Sequence, residues 1–249
     1  MLKHRSQYWR SLIPITAITA ALVIGGGTLP GWAKFNPPGN LRRPGSRVGL
    51  ATRGGTDLCS ADSRYPLTTL VPKTLEGRTL SGYPTFYWFM PNRNTYASAR
   101  FDLYEVKEAD QHLVYRSEFQ ISGQAGIASL SLPADTTVSP LEVGKSYRWM
   151  LVLVCPDRPS RNIFAEGWVE RVSPSDQLKE DLAAANPEDR INLYGEAGLW
   201  YDLVKALADQ RQAKAADLTL AKEWQDLMES EVVDLSKLAN QPFVMPEQP

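Results

Sequence analysis

Between positions 65 and 172 apolar and polar residues alternate in short runs divided by turn residues, the pattern of strands with one buried face. Residues 100–106 (RFDLYEV) set Phe101, Leu103 and Glu105 opposite Asp102, Tyr104 and Val106. Residues 112–121 put Leu113, Tyr115, Phe119 and Ile121 on one face and Arg116, Glu118 and Gln120 on the other. Shorter runs at 127–132 and 163–172 extend the series. Two runs break the alternation: 84–90 (PTFYWFM) and 147–155 (YRWMLVLVC) are apolar on both faces. A sheet with one wet face does not tolerate that, so another layer has to cover them.

The pattern turns helical after Ser173. Ser173 or Ser175 caps a first helix carrying Leu178 and Leu182, and Asn186-Pro187-Glu188-Asp189 supplies a cap, a first-turn proline and acids for the next N-terminus. That second helix is predicted to run to about Asp209, since Leu193, Ala197, Trp200, Val204 and Leu207 recur at steps of four and three. Asp217 caps a third with Leu220, Trp224 and Leu227 on one side. This stripe is the candidate cover for the double-faced strands. Leu141-x-x-Gly144-x-x-Tyr147 ahead of an apolar strand resembles the tyrosine corner of immunoglobulin-like and fibronectin-type sandwiches. The expectation is an α+β chain: an antiparallel β-sandwich of that kind over 65–172, with a C-terminal helical layer over 173–239 packed on it. Residues 34–64, dense in Gly, Pro and Arg, read as an irregular arm, and 240–249 as a flexible tail.

The first 33 residues change the picture. A basic start (Lys3, Arg5, Arg10), an apolar run from Leu12 to Ile24 and a small-residue exit read as a secretory signal cut between Ala33 and Lys34. The competing reading is an uncleaved anchor, but about 20 uninterrupted apolar residues span a bilayer, and Pro14 and Gly25, Gly26 and Gly27 break this run. Without residues 1–33 the chain carries 24 basic and 28 acidic groups, which argues against a nucleic-acid binder. The basic residues gather before position 175 and the acidic ones after it, so Arg42, Arg43, Arg47 and Arg53 have an acidic surface available in their own C-terminal region. Export to a periplasmic or secreted location sets Cys59 and Cys155 where an even number of cysteines pairs, so one disulfide is expected, the other reading being two buried thiols.

Candidate chemistry is sparse. His112 is the one histidine beyond the signal segment, no serine lies in a nucleophile elbow, and no phosphate-cradling glycine loop occurs. Neither a cofactor nor a metal is expected. Paired carboxylates are the remaining enzymatic option: Glu166 and Glu170 share a strand face with Trp168, an aromatic platform between two acids that suits a sugar. Their spacing spans about 13 Å of backbone, long for a glycosidase pair. The blander reading of that surface is a solvated face with a covered tryptophan.

The blocks RRPGSRVGLATRGG, YPLTTLVP, YPTFYWFMP, LEVGKSYRWMLVLVCPDRPSRN, AEGWVERV, LYGEAGLWYDLV and AKEWQDLM follow one another along the chain. In them the chain resembles a family of exported cyanobacterial proteins catalogued as domain of unknown function 928. That resemblance implies an exported protein with a strand-rich body, a helical end and no assigned activity. Together these readings predict a non-catalytic binding or protein-interaction module whose partner is an envelope protein or a glycan. The alternatives are a carbohydrate-binding protein or glycoside hydrolase built on Glu166, Trp168 and Glu170, and a membrane-tethered sensor component.

Overall fold

A computed structural model describes residues 34–39, 43–49, 59, 64–92, 96, 98–108, 110–121, 123–135 and 138–244. The signal segment with Ala33, and Arg42 and Arg53 of the arm, lie outside the described residues; Lys34 is the first within them. The described strands are β1 (Thr68–Thr69), β2 (Glu76–Thr79), β3 (Thr85–Met90), β4 (Ser98–Lys107), β5 (Asp110–Gln120), β6 (Gly126–Ser131), β7 (Ser146–Val154) and β8 (Ile163–Arg171). They form two sheets, in the orders β1-β3-β6 and β2-β8-β7-β4-β5. Every pairing is antiparallel except β2 with β8. The inner faces meet through aromatic rings: Phe86 of β3 lies 5.0 Å from Phe101 and 5.1 Å from Trp149, and Trp88 stacks on Phe119 at 5.9 Å. Large rings at these separations bury the most apolar area per residue and fix how the sheets sit on each other. The fold is the expected α+β sandwich.

The tyrosine corner is formed. Tyr147, at the start of β7, accepts a hydrogen bond on its hydroxyl from the Glu142 N–H at 2.9 Å, and Gly144 makes the turn between them with φ +81°. Tyr147→Phe keeps the buried ring and loses this bond, with water free to solvate the exposed Glu142 amide. A loss of about 1 kcal/mol is expected, read as a lower urea midpoint at unchanged slope.

In β5 alternation misleads. The register with β4 shifts between Leu103↔Tyr115 and Tyr104↔Leu113, leaving Val114 without an opposite residue. This bulge moves Leu113 to the other face from Tyr115 and Phe119, and it is 47% exposed.

Four helices follow, α1 (Asp176–Ala184), α2 (Pro187–Glu196), α3 (Trp200–Ala213) and α4 (Leu218–Glu229). Ser175, Asn186 and Asp217 cap α1, α2 and α4 as their side-chain chemistry dictates. The single long helix expected from Pro187 to Asp209 is two helices, because Gly198 takes φ +70°. The Leu199 N–H returns to Tyr194 O and the Gly198 N–H to Gly195 O, the two bonds of a Schellman stop.

Helix α3 enters the sandwich edge, packing against β2 and β3. Trp200 is fully buried: its Nε1–H donates to Leu70 O at 2.9 Å, Phe35 meets its ring edge-on at 5.0 Å, and it presses on Gly77, where a Cβ would lie 2.7 Å from the Trp200 Cβ. The Tyr201 hydroxyl accepts from Trp149 Nε1 at 2.7 Å and donates to Trp168 O at 2.8 Å, tying the helix to both β7 and β8. The helical layer thus covers the second face of β3, where Tyr87 is buried with its hydroxyl pushed up by burial and by Asp209 of α3. It does not act on the second face of β7 as expected: Tyr201 meets that strand on its inner side, at Trp149.

Two segments read as loose belong to the fold. Residues 43–49 form a strap between the sheets, with Gly49 N–H on Leu67 O and Thr69 N–H on Arg47 O toward β1, and Glu166 N–H on Ser46 O toward β8. The tail is fixed through Val244: Phe243 bridges Ile127 beside β6, Ile127 N–H donates to Pro242 O and Val244 N–H to Ile127 O, and Phe243 meets Trp224 of α4 edge-on at 5.1 Å. These bonds give the exposed edge of β6 a partner, which is the usual remedy for an unpaired strand edge. Residues 245–249 lie outside the described residues.

Candidate functional site

Glu166, Trp168 and Glu170 alternate along β8 and point to one side, the second face of the five-stranded sheet, as their spacing requires. That side is occupied. Glu166 is 2% exposed; its carboxylate accepts from Arg148 Nε at 2.6 Å, from Arg148 Nη2, and from the Ser46 N–H at 2.8 Å. Glu170 accepts from Arg78 Nε at 2.9 Å. The Trp168 Nε1–H donates to Pro44 O at 3.2 Å, and the Arg43 guanidinium lies 5.1 Å over the ring. Arg43 is itself held by Glu76 at 2.7 Å and the Ser146 hydroxyl at 3.1 Å. A sugar platform needs an open ring face, and this one carries a cation and a strap. The cover comes from the arm rather than from the helices, and the two carboxylates are neutralised by separate arginines instead of converging on a shared ligand.

Gly45 makes this closure possible. Its φ is +126°, and a Cβ there would fall 2.0 Å from Glu166 Oε1. Gly45→Ala therefore meets backbone strain and the buried β8 carboxylate that holds the strap together. A loss of about 2–3 kcal/mol is expected in urea unfolding, with wild-type behaviour contradicting the strap geometry.

Asp102 was missed by sequence reading. It is fully buried on the same second face, accepting from Arg100 Nε at 3.0 Å and Arg116 Nε at 2.5 Å. The signal was present, since Arg100 lies two residues away on its strand and Arg116 is its β5 partner, but only the pairing register makes the clamp visible. Asp202 of α3, partly buried, is a second carboxyl that the sequence did not single out. Burial pushes its carboxyl up to about 6, opposed by the Leu80 N–H at 3.0 Å and the Thr79 hydroxyl. A carboxyl raised in the folded state favours the protonated form, so the stability it contributes is present below about pH 4 and lost as pH rises through about 6. Asp202→Asn should flatten that part of the stability profile and be the more stable protein at pH 7.5, by at most about 3 kcal/mol. Parallel wild-type and variant profiles from pH 4 to 8 would refute it.

His112 is exposed at the start of β5, opposite Glu105. Cys59 and Cys155 are bonded, with Cα atoms 5.6 Å apart, and the Cys155 N–H donates to Asn162 Oδ1 at 2.8 Å. Among the described residues no three His, Cys, Asp or Glu side chains cluster for a metal ion, and no helix is long and apolar enough to cross a membrane. Leu113 of β5 and Phe164 of β8, 47% and 48% exposed, lie on the same second face as Arg148 and Asp102, three strands apart and at different register positions.

No curated protein matches the chain. Among solved structures, the fn3 domain of the human collagen alpha-1(XX) chain aligns with 15% identity over 50% of this chain and 93% of that one, at a TM-score of 0.27. That superposition is too loose to add to the strand order described above. A family model matches residues 48–243, from the strap to the β6-capping tail. The chain belongs to the family described as Domain of Unknown Function (DUF928).

Proposed function

We propose that this protein is an extracytoplasmic, non-catalytic binding or protein-interaction module whose partner is an envelope protein or a glycan. The carrying observation is the use made of its carboxylates: Glu166, Glu170 and Asp102 each face arginine, while Leu113 and Phe164 stand exposed at separate points of the same sheet face. General acid–base work needs a carboxyl within reach of a substrate proton, and these are spent on holding strands and strap together. A covalently closed Cys59–Cys155 pair fits an oxidising compartment.

Crosslinking in the native envelope followed by mass spectrometry tests the reading. A defined partner recovered with wild type and lost from Leu113→Ser and Phe164→Ser supports it. Hydrolysis of a glycan by the purified protein, abolished by Glu170→Gln, would replace it with the carbohydrate-active alternative. The tethered alternative depends on residues 1–33, and N-terminal sequencing of the exported protein, with Lys34 as first residue or not, decides it.

A further inference from the structure

Each of the two open sheets ends in two edge strands, and an unpaired edge is a template for another chain. Three of these edges are dealt with inside the fold. Residues 242–244 run beside β6, Val48 of the strap bridges Thr68 of β1, and β2 is only four residues long and carries α3. The fourth, β5, has eleven residues, lies at the edge of the larger sheet away from α3, and pairs with β4 alone among the described strands. No other main-chain bond reaches it among the described residues, and Arg116, Glu118 and Gln120 are exposed along it.

The bulge at Val114 limits where a new strand can dock. From Leu103↔Tyr115 to Ser98↔Gln120 the register with β4 is unbroken, so 115–120 is the regular part of the edge. Directly opposed residues of an antiparallel pair share a face, so a twofold axis relating two copies of β5 has to pass through a residue. An axis at Arg116 sets two guanidiniums opposite each other, and one at Glu118 sets two carboxylates opposite each other. An axis at Ser117 sets Arg116 of each copy opposite Glu118 of the other on the outer face, with Tyr115 opposite Phe119 on the inner face. No other axis in this stretch brings Arg116 and Glu118 together. Both side chains keep an atom for the contact. Arg116 holds Asp102 through Nε at 2.5 Å and the Tyr104 hydroxyl through Nη2 at 3.4 Å, and Nη1 joins neither bond. Arg100 also donates to Asp102, so that one buried carboxylate faces two guanidiniums. Glu118 accepts from the Ser98 hydroxyl on Oε1 at 2.7 Å, leaving Oε2, and makes no ion pair among the described residues.

We propose that this protein self-associates through β5: two copies pair antiparallel about a twofold axis at Ser117, with reciprocal Arg116–Glu118 ion pairs, and join their larger sheets into one. The inference goes beyond the binding-module reading and stands without it. Main-chain bonds between the two strands supply the attraction, and the paired charges select the register.

Sedimentation velocity of the exported protein from about 10 to about 500 µM should show a reversible dimer that weakens as salt is raised. Glu118→Arg sets like charges opposite each other on both sides of the axis and should weaken the dimer about ten-fold or more, its urea midpoint showing that the monomer stays folded. Ser117→Cys adds a single free thiol to a chain whose two cysteines are bonded to each other, and mild oxidation should link two copies through it. Gln120→Cys lies about 20 Å from its counterpart in this register and should crosslink far more slowly. The proposal is overturned if the protein stays monomeric throughout that range, if Glu118→Arg dimerises like wild type, or if Ser117→Cys crosslinks no faster than Gln120→Cys. Should Glu118→Arg fail to fold, the two cysteine variants decide. A dimer formed through another surface would fail the comparison between them.

Discussion

Replacing Cys59 and Cys155 together by alanine is expected to lower the unfolding free energy by on the order of 4–5 kcal/mol, the largest effect of any change considered. The two residues are 96 positions apart, and closing a loop of that length removes much of the freedom of the unfolded chain. The bond also has a place in the native architecture. Cys155 follows the last residue of β7, and Cys59 follows the strap, so one covalent link joins the central strand of the larger sheet to the segment that closes the sandwich. Urea unfolding of oxidised wild type and of the double variant measures it. The denaturant slope should rise as well, because the uncrosslinked unfolded chain exposes more surface. A change under about 1 kcal/mol would mean that the bond contributes little to this fold.

Trp200→Ala is expected to cost about 3–5 kcal/mol. The ring is fully buried at the junction of α3, β2 and Phe35, and its loss opens a cavity lined by Gly77 and Phe35 that neither a glycine nor one phenyl ring can refill. The Leu70 carbonyl also loses its donor. Two readouts separate this from general fragility. Residues 34–36, held by Phe35 on Trp200 and by the Asn36 N–H on Gly195 O, should exchange faster in the variant even where it stays folded. Leu218→Ala, on the same helical layer but 84% exposed, should change stability by less than about 0.5 kcal/mol. Equal effects of the two substitutions would contradict the account of α3 as a plug in the sandwich edge.

What was legible in the sequence was whatever depends on local period. The runs at 84–90, 147–155 and 163–172 became β3, β7 and β8 within a residue or so at each end, and the caps Asn186 and Asp217 act where their chemistry puts them. What stayed hidden depends on which strand lies beside which. The Val114 bulge exists only in the β4–β5 register, so the face of Leu113 was misassigned. Gly198 stood inside an unbroken apolar stripe, and its role as a stop shows only in its left-handed backbone. The strap and tail have no period because they bond through main chain to Thr69, Glu166 and Ile127, and main-chain bonds leave no trace in side-chain pattern. For the candidate site, the shared face of Glu166, Trp168 and Glu170 was readable from alternation. Its closure by Arg43, Pro44 and Arg148 was not, since those residues come from an arm and a neighbouring strand.

The central claim is that residues 43–49 are part of the closed sandwich, which makes the Glu166–Trp168 surface interior. One amide reports on it directly. The Glu166 N–H donates to Ser46 O at 2.9 Å, across the strap, whereas the Trp168 N–H donates to Leu75 O at 2.7 Å, inside the sheet region proper. In native-state hydrogen exchange the two amides should be protected to the same degree, near the global unfolding free energy. If Glu166 and Ser46 exchange at rates of an open loop while Trp168 stays protected, the strap is not closed and the Glu166–Trp168–Glu170 surface is available to a ligand after all.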